Sequence, residues 1–414
     1  MKLLVISPFY PPLHMGGYEI RCKEVVDGLI RQGHEALILT TRSKAGEWYD
    51  DKEVYSIERK LRQRVGSRNL ICQIFTDILD LKFIDRKIKQ FSPDIIYLWG
   101  IQTLSNALFP YISRQNIQIV YDEGSSGLIH LAKIYEQGIY FYNNENDSLV
   151  KKISKKLINQ LVNILSSNRI TPQWIWPHDM QVYFNCTSSM EYASEKGVPT
   201  ENASVIYSGI EIEKFPFQFH DQIGELVRII VPGRIKLIKG TTDAIELIRE
   251  LKKRKIQVRL KLVGKVQSNE YLYEINREID QNDLATFVDV LPMIFQSELS
   301  KLYRSSDICF CPSYLKPGFS RVPIEAMASG CIVISYGNEG MKEVINDQET
   351  GFIIPEGDVK KGADIVEKLM HEPDLVREII FNARQVVEDK FSFENYIDSI
   401  ESFLLESVQP GRSK

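Results

Sequence analysis

The stretch Val227-Arg228-Ile229-Ile230-Val231-Pro232-Gly233-Arg234-Ile235-Lys236-Leu237-Ile238-Lys239-Gly240 opens the second half of a chain of 414 residues. Its β-branched start reads as a buried strand that Pro232-Gly233 ends, and apolar residues then return at helical spacing over 241–253. A strand, a turn and a helix make half of a βαβ unit. The alternation continues downstream, with strands expected at 258–263, 285–290, 308–311, 332–335 and 351–354 and helices at 269–281, 297–304, 324–329 and 341–346. Upstream it gives strands at 3–7, 34–40, 94–99, 117–122 and 181–186, with a helix at 19–32. Two doubly wound α/β domains in tandem follow, each built on a parallel sheet. The first is expected over 1–214 and the second over 227–390, joined by an aperiodic linker at 215–226. A last helix at 391–410 is expected to return to the first domain.

Composition agrees with two ordinary cores. Hydrophobic residues make up 43% of the chain and charged ones 26%, which excludes a disordered or collagen-like polymer. Lys and Arg total 51 against 55 Asp and Glu, a formal charge of −4, so no global field draws the protein to nucleic acid. The six cysteines are scattered without a Cys-x-x-Cys pair, which suggests buried free thiols in a reducing, cytoplasmic setting rather than a zinc site. Charged residues interrupt every apolar run short of the ~18 residues a spanning helix needs. The first residues, Met-Lys-Leu-Leu-Val-Ile-Ser-Pro, read as a strand rather than a secretion signal.

Two segments exceed the minimal plan. Residues 43–90 form a charged insertion carrying Arg59, Lys60, Arg62, Arg64 and Arg68, and residues 149–165 combine Lys151, Lys152, Lys155 and Lys156 with apolar positions at helical spacing. Each suits either a solvated helix face or a peripheral contact with a membrane or an anionic acceptor.

Three loops follow strands and precede helices, where backbone amides and the helix dipole favour an anion. Gly16-Gly17 before the first helix is either such a site or a tight turn needing positive φ. Gly233, Arg234 and Lys239 place two cations beside a strand end, which suits a diphosphate, although Lys and Arg in loops are usually just solvated. The segment from Cys311 to Gly330 contains a third loop, leading to a helix expected to begin near Pro323.

Taken in order, several motifs resemble glycosyltransferase family 4, the retaining group with the GT-B fold, over nearly the whole chain. They are Pro11-Pro12 with Gly16-Gly17 and Glu19, Ile206-Tyr207-Ser208-Gly209-Ile210-Glu211 with Phe215, Gly233-Arg234 with Lys239-Gly240, and Leu262-Val263-Gly264. Leu302-Tyr303 with Asp307, Pro312-Ser313, Glu325-Ala326-Met327-Ala328-Ser329-Gly330 and Thr350-Gly351-Phe352 with Asp358 complete the series. The resemblance implies two Rossmann-like domains facing across a cleft. It implies a metal-independent, retaining transfer of a sugar from a nucleotide-sugar donor to an acceptor hydroxyl, with no cofactor, in polysaccharide or glycoconjugate assembly. Arg234 and Lys239 would bind the diphosphate and stabilise the departing nucleoside diphosphate. Glu325 would accept from the ribose hydroxyls, the amides of Ser320, Arg321 and Val322 would add phosphate contacts, and the base would rest near Gly264 and Leu291. Gly16 and Gly17 would approach the donor from the other domain. The acceptor is left as a sugar, a lipid-linked intermediate, which would suit a cytoplasmic protein peripheral at the inner face of the plasma membrane, or a small molecule, which fits equally well.

Two departures stand out. Family members carry two glutamates separated by seven residues, yet counting back from Glu325 over seven intervening residues reaches Pro317, with Gly318-Phe319-Ser320 after it. Proline offers no charge and no N–H. Lys316 could serve the sugar instead, donor preference could differ, or activity could be lost. Members also present a histidine after the fourth strand, where this chain has Asp122 and Glu123; either carboxylate could orient the acceptor hydroxyl or cap the next helix. His130 is expected as a helix residue, His14 as a loop contact, and Trp99 as core or acceptor-pocket lining. The rival reading is a silent sugar-nucleotide-binding protein. A NAD-dependent oxidoreductase is disfavoured because neither domain has G-x-G-x-x-G after its first strand.

Overall fold

The computed structural model describes residues 1–12, 16–42, 55–63, 70–124, 127–137, 180–316 and 319–408, with a few single positions between 156 and 166. Two compact units result: Met1–Asn185, Met190–Ile206 and Ile397–Lys414 form the first, and Cys186–Ser189 with Tyr207–Tyr396 the second. The sequence suggested a linker at 215–226. The boundary instead falls at 206/207, because Ile210 N–H donates to Phe391 O (2.9 Å) and Phe215 is fully buried in a core of the second unit.

The first unit runs β1 (Lys2–Ile6), α1 (Gly17–Arg31), β2 (Glu35–Thr41), β3 (Ser56–Leu61), α2 (Leu70–Phe91), β4 (Ile95–Trp99), α3 (Leu108–Ile112), β5 (Gln118–Glu123), α4 (Gly127–Gln137), β6 (Gln181–Phe184), α5 (Thr187–Glu195) and β7 (Ala203–Val205). Its strands lie in the order β3-β2-β1-β4-β5-β6-β7, every pair parallel. The stretch read as an insertion therefore supplies an edge strand and a long helix. Ser56-Ile57-Glu58-Arg59-Lys60-Leu61 hid its strand because an edge needs little apolar surface, and only Leu61 is fully buried. Arg59 donates to Tyr10 O and Pro11 O, Lys60 pairs with Glu58, and Arg62 pairs with Asp80 at 2.5 Å, so these cations hold the fold together locally. Arg64, Arg68, His14 and Lys151 to Lys155 lie outside the described residues.

The second unit runs β8 (Leu226–Pro232), α6 (Thr241–Lys253), β9 (Gln257–Val263), α7 (Asn269–Gln281), β10 (Val288–Leu291), α8 (Gln296–Arg304), β11 (Ile308–Cys311), α9 (Arg321–Ser329), β12 (Ile332–Tyr336), α10 (Glu339–Lys342), β13 (Phe352–Ile354), α11 (Val359–His371), α12 (Pro373–Lys390) and α13 (Phe393–Val408). The order β10-β9-β8-β11-β12-β13 is again wholly parallel. Val227 and Ile229 enter one core and Ile230 another, so both faces of this sheet are covered, as parallel sheets require. In each sheet the chain leaves the two central strands towards opposite edges, which opens a crevice at their carboxyl ends.

Cys22, Cys186, Cys309 and Cys331 are buried thiols, but Cys72 is exposed and Cys311 half-buried, against the expectation of six buried ones. No described helix is long and apolar enough to cross a membrane.

Helix α13 passes from the second unit into the first at Ile397. There His34 Nε2 lies 2.7 Å from Glu401 Oε1, and Gln32 donates to Asp398 at 2.7 Å. Ile397 presses so closely on α1 that a β-carbon on Gly28 would sit 2.7 Å from its Cδ1. Gly28→Val should therefore overpack this seam and destabilise the protein by about 1 to 3 kcal/mol. A thermal midpoint equal to that of the unsubstituted protein would show that α13 does not rest on α1.

Candidate functional site

Backbone crowding builds the site at the end of the second sheet. Gly264, with φ +154°, donates to Leu291 O (3.1 Å), and a β-carbon there would meet Gly233 O at 1.9 Å. Only glycine permits that approach. Beyond β8, Ile235 N–H donates to Lys265 O (3.0 Å), and the Thr241 hydroxyl bridges both backbone groups of Lys236 at 3.1 Å. The loop closes in a single 3-10 turn, Leu237–Lys239, and Gly240 (φ +69°) starts α6 with its α-carbon against Pro312 O.

Arg234, Lys236 and Lys239 are thus gathered within one short loop. Among the described residues none of the three is paired with a carboxylate. Burial, then Arg234 and Lys236, hold the Lys239 ammonium below the usual lysine range. Burial and Arg234 do the same to Lys236. An anion placed here would relieve both effects.

The loop walls a pocket whose other side comes from the end of β11 and the start of α9. Gly233, Arg234, Lys239, Ser320 and Val322 line it together with Cys311, Pro312, Ser313, Phe319 and Asn338. Helix α9 begins at Arg321, two residues before the expected start, so Pro323 falls in its first turn, where its missing N–H is harmless. Ser320 is its N-cap, its hydroxyl accepting from Val322 N–H at 3.3 Å. One of the three amides assigned to phosphate is therefore already engaged within the protein.

Glu325 stands one turn along α9, nearly buried. Its Oε2 accepts from the Tyr303 hydroxyl at 3.1 Å, and its Oε1 lies 3.9 Å from Arg321 Nε. Burial pushes the Tyr303 hydroxyl well above its ordinary range, with Glu325 adding to the effect, so it stays a donor. Gly264 and Leu291 bound the strand ends beside the pocket without lining it. Pro317 and Gly318 lie outside the described residues. Lys316 reaches Glu356 at 2.8 Å, and that pairing raises its pKa.

Asn338 was missed. It follows β12, is 2% exposed, and caps α10 by accepting from Met341 N–H at 3.0 Å. An asparagine at a strand-to-helix turn is an N-cap signal, and it was the available clue.

In the first unit the capping role left open for the two carboxylates falls to one of them. Glu123 accepts from the Gly127 and Leu128 amides, both at 2.9 Å, and so caps α4. Asp122 is fully buried and pairs with the equally buried Arg21 at 2.5 Å. The Arg21 guanidinium also lies 5.0 Å from the Trp99 ring and 5.2 Å from that of Tyr18. Burial raises the Asp122 pKa, with Arg21 opposing it. These groups are structural, and Trp99, wholly buried, is core. His130 is exposed on α4. Gly16 is extended (φ −177°) and its N–H donates to Glu19 at 3.0 Å, so neither positive φ nor crowding demands a glycine there.

Residues 216–386, nearly the whole second sheet and its helices, match the family model described as glycosyl transferases group 1. Residues of this chain are 29% identical over 214 positions, 48% of it and 54% of the other, to the capsular polysaccharide biosynthesis glycosyltransferase CapM of Staphylococcus aureus. The chain spans about half the length of the first curated relatives it matches. A crystal structure of a glycosyltransferase from Rickettsia africae shares the fold with a TM-score of 0.74, at 20% identity over 99% of both chains. The Anabaena protein HepE, solved with UDP and glucose, superposes at 0.70 with 18% identity, over 98% of this chain and 100% of that one. The two parallel-sheet units therefore have the GT-B fold.

Asp122→Ala should leave the Arg21 guanidinium buried without its carboxylate and lower stability by about 3 to 5 kcal/mol. Denaturant unfolding measures this; an unchanged midpoint would return Asp122 to the candidates for chemistry.

Proposed function

We propose, residues 216–386 belonging to the glycosyl transferases group 1, that the protein transfers a sugar from a nucleoside-diphosphate donor to an acceptor hydroxyl. The observation that carries this reading is that Arg234 and Lys239, without carboxylate partners among the described residues, line a pocket at the switch point of a parallel sheet, with Lys236 in the same loop. A diphosphate supplies the missing negative charge. As the glycosidic bond breaks, charge grows on the departing phosphate, and Arg234 and Lys239 stabilise it more in the transition state than in the ground state. The start of α9 adds its dipole, and Glu325, oriented by Tyr303, accepts from the ribose. UDP in the HepE structure and polysaccharide synthesis by the CapM relative support a UDP-type donor and a sugar acceptor. In this reading the transfer is retaining and needs neither metal nor cofactor, and Lys316, tied to Glu356, does not serve the sugar.

The acceptor's setting draws on α2. Phe75 and Leu79 are 61% and 51% exposed, and Lys82, Arg86 and Lys89 continue the same face. Lys89 is paired with Asp85 at 3.1 Å, so Lys82 and Arg86 are the cations beside the exposed apolar residues that suit an anionic lipid surface. In this reading the enzyme works at the inner face of the plasma membrane on a lipid-linked acceptor. Phe75→Glu should abolish cosedimentation with phosphatidylglycerol vesicles; equal sedimentation of both proteins, or binding to neither lipid charge type, rejects the membrane assignment.

Arg234→Ala and Lys239→Ala should each weaken turnover efficiency by the equivalent of about 2 to 4 kcal/mol in a UDP-sugar assay. A loss under about threefold would remove them from the chemistry. Binding of UDP without transfer or slow donor hydrolysis would favour a silent sugar-nucleotide binder.

A further inference from the structure

Two walls of the pocket are fastened to each other by a network that the reaction as described does not use. Asp243 stands in the first turn of α6, three residues after Gly240. Its Oδ2 accepts from the Tyr314 hydroxyl at 2.5 Å and from the Tyr336 hydroxyl. The two rings meet edge to face with centroids 5.3 Å apart. Tyr314 also donates its backbone N–H to Ile238 O at 3.0 Å, inside the turn that ends in Lys239. Its sequence neighbours Ser313 and Leu315 line the pocket, whereas Tyr314 itself is turned away to Asp243.

Tyr314 thus links the segment after β11 to the loop carrying the cations by one side-chain and one backbone bond. The contact of Gly240 with Pro312 O makes a third point of attachment nearby. Three points fix a separation that none of them fixes alone. Burial and Asp243 push the Tyr314 hydroxyl up to about 12, so it remains a donor at neutral pH.

We propose that Asp243 and Tyr314 are a positioning pair for the donor site, setting the spacing between the Lys239 turn and residues 312–315 so that both walls reach one diphosphate. This rests on the donor reading given above. Neither side chain touches the diphosphate, and both act through Lys239 and the residues beside Tyr314. Tyr336 supplies an internal comparison: it shares the same acceptor oxygen but belongs to β12 and not to the loop.

UDP binding by calorimetry, with the thermal midpoint of each variant, tests the pair. Tyr314→Phe should weaken UDP binding about tenfold, the order expected when a hydrogen bond to a charged group is lost. Tyr336→Phe should lower the midpoint at least as much while changing UDP affinity less than about twofold, since a purely structural network gives no reason for affinity to depend on which hydroxyl is removed. Asp243→Asn, which keeps an acceptor oxygen, should bind UDP better than Asp243→Ala. If the unsubstituted protein binds UDP and Tyr314→Phe binds it equally well, or if both tyrosine variants lose affinity in step with stability, the positioning role is wrong. If the unsubstituted protein binds none of UDP, GDP and ADP, the donor reading fails and takes the positioning role with it.

Discussion

The candidate site depends on two places where backbone meets backbone too closely for a side chain. Gly264 lies so near Gly233 O that a β-carbon would overlap it at 1.9 Å, and Gly240 stands in the same relation to Pro312 O at 2.0 Å. The first contact closes the ends of β8 and β9. The second sets the start of α6 against the segment leaving β11. Parallel strand order makes the crevice, but these contacts decide its width, and the cations of the 234–239 loop have their places only because the loop is closed between them.

Charge is handled in opposite ways at the two sheet ends. In the first unit Arg21 and Asp122 meet as a fully buried pair, packed on Trp99 and Tyr18, and the carboxylate next to them is used up capping α4. Like most buried pairs this one gives specificity of packing more surely than net stability. In the second unit Arg234, Lys236 and Lys239 repel one another, and burial first and this repulsion second make Lys239 hold its proton less tightly than an ordinary lysine. Cations that perturb one another beside a pocket are the kind of cluster found at binding sites, whereas the buried pair of the first unit is internally compensated.

That contrast also explains what could be read from sequence. The alternation of strand and helix is a local pattern, so both sheets, and the loop from Gly233 to Gly240, were legible before any coordinates. The first sheet's two edge strands, β3 and β7, were not, β3 because its charged residues carry no period-two signal and β7 because three residues are too few to show one. The roles of Asp122 and Glu123 could not be separated locally either. Glu123 finds its partners four and five residues on, as a cap should, but Asp122 finds Arg21 101 residues away, where no local rule reaches. Tyr303 behind Glu325 was hidden for the same reason, being 22 residues distant and apolar in appearance.

Tyr303 matters for how Glu325 can act. A buried carboxylate with no donor tends to take up a proton, and a protonated acid presents a donor where a ribose hydroxyl needs an acceptor. The Tyr303 hydroxyl, itself kept protonated by burial and by the carboxylate, gives Glu325 a permanent donor at 3.1 Å. Arg321 Nε, one turn back on the same helix, lies 3.9 Å from Glu325 Oε1. Tyr303 therefore holds Glu325 in one orientation at the start of α9, as a glutamate that accepts from a ribose has to be held.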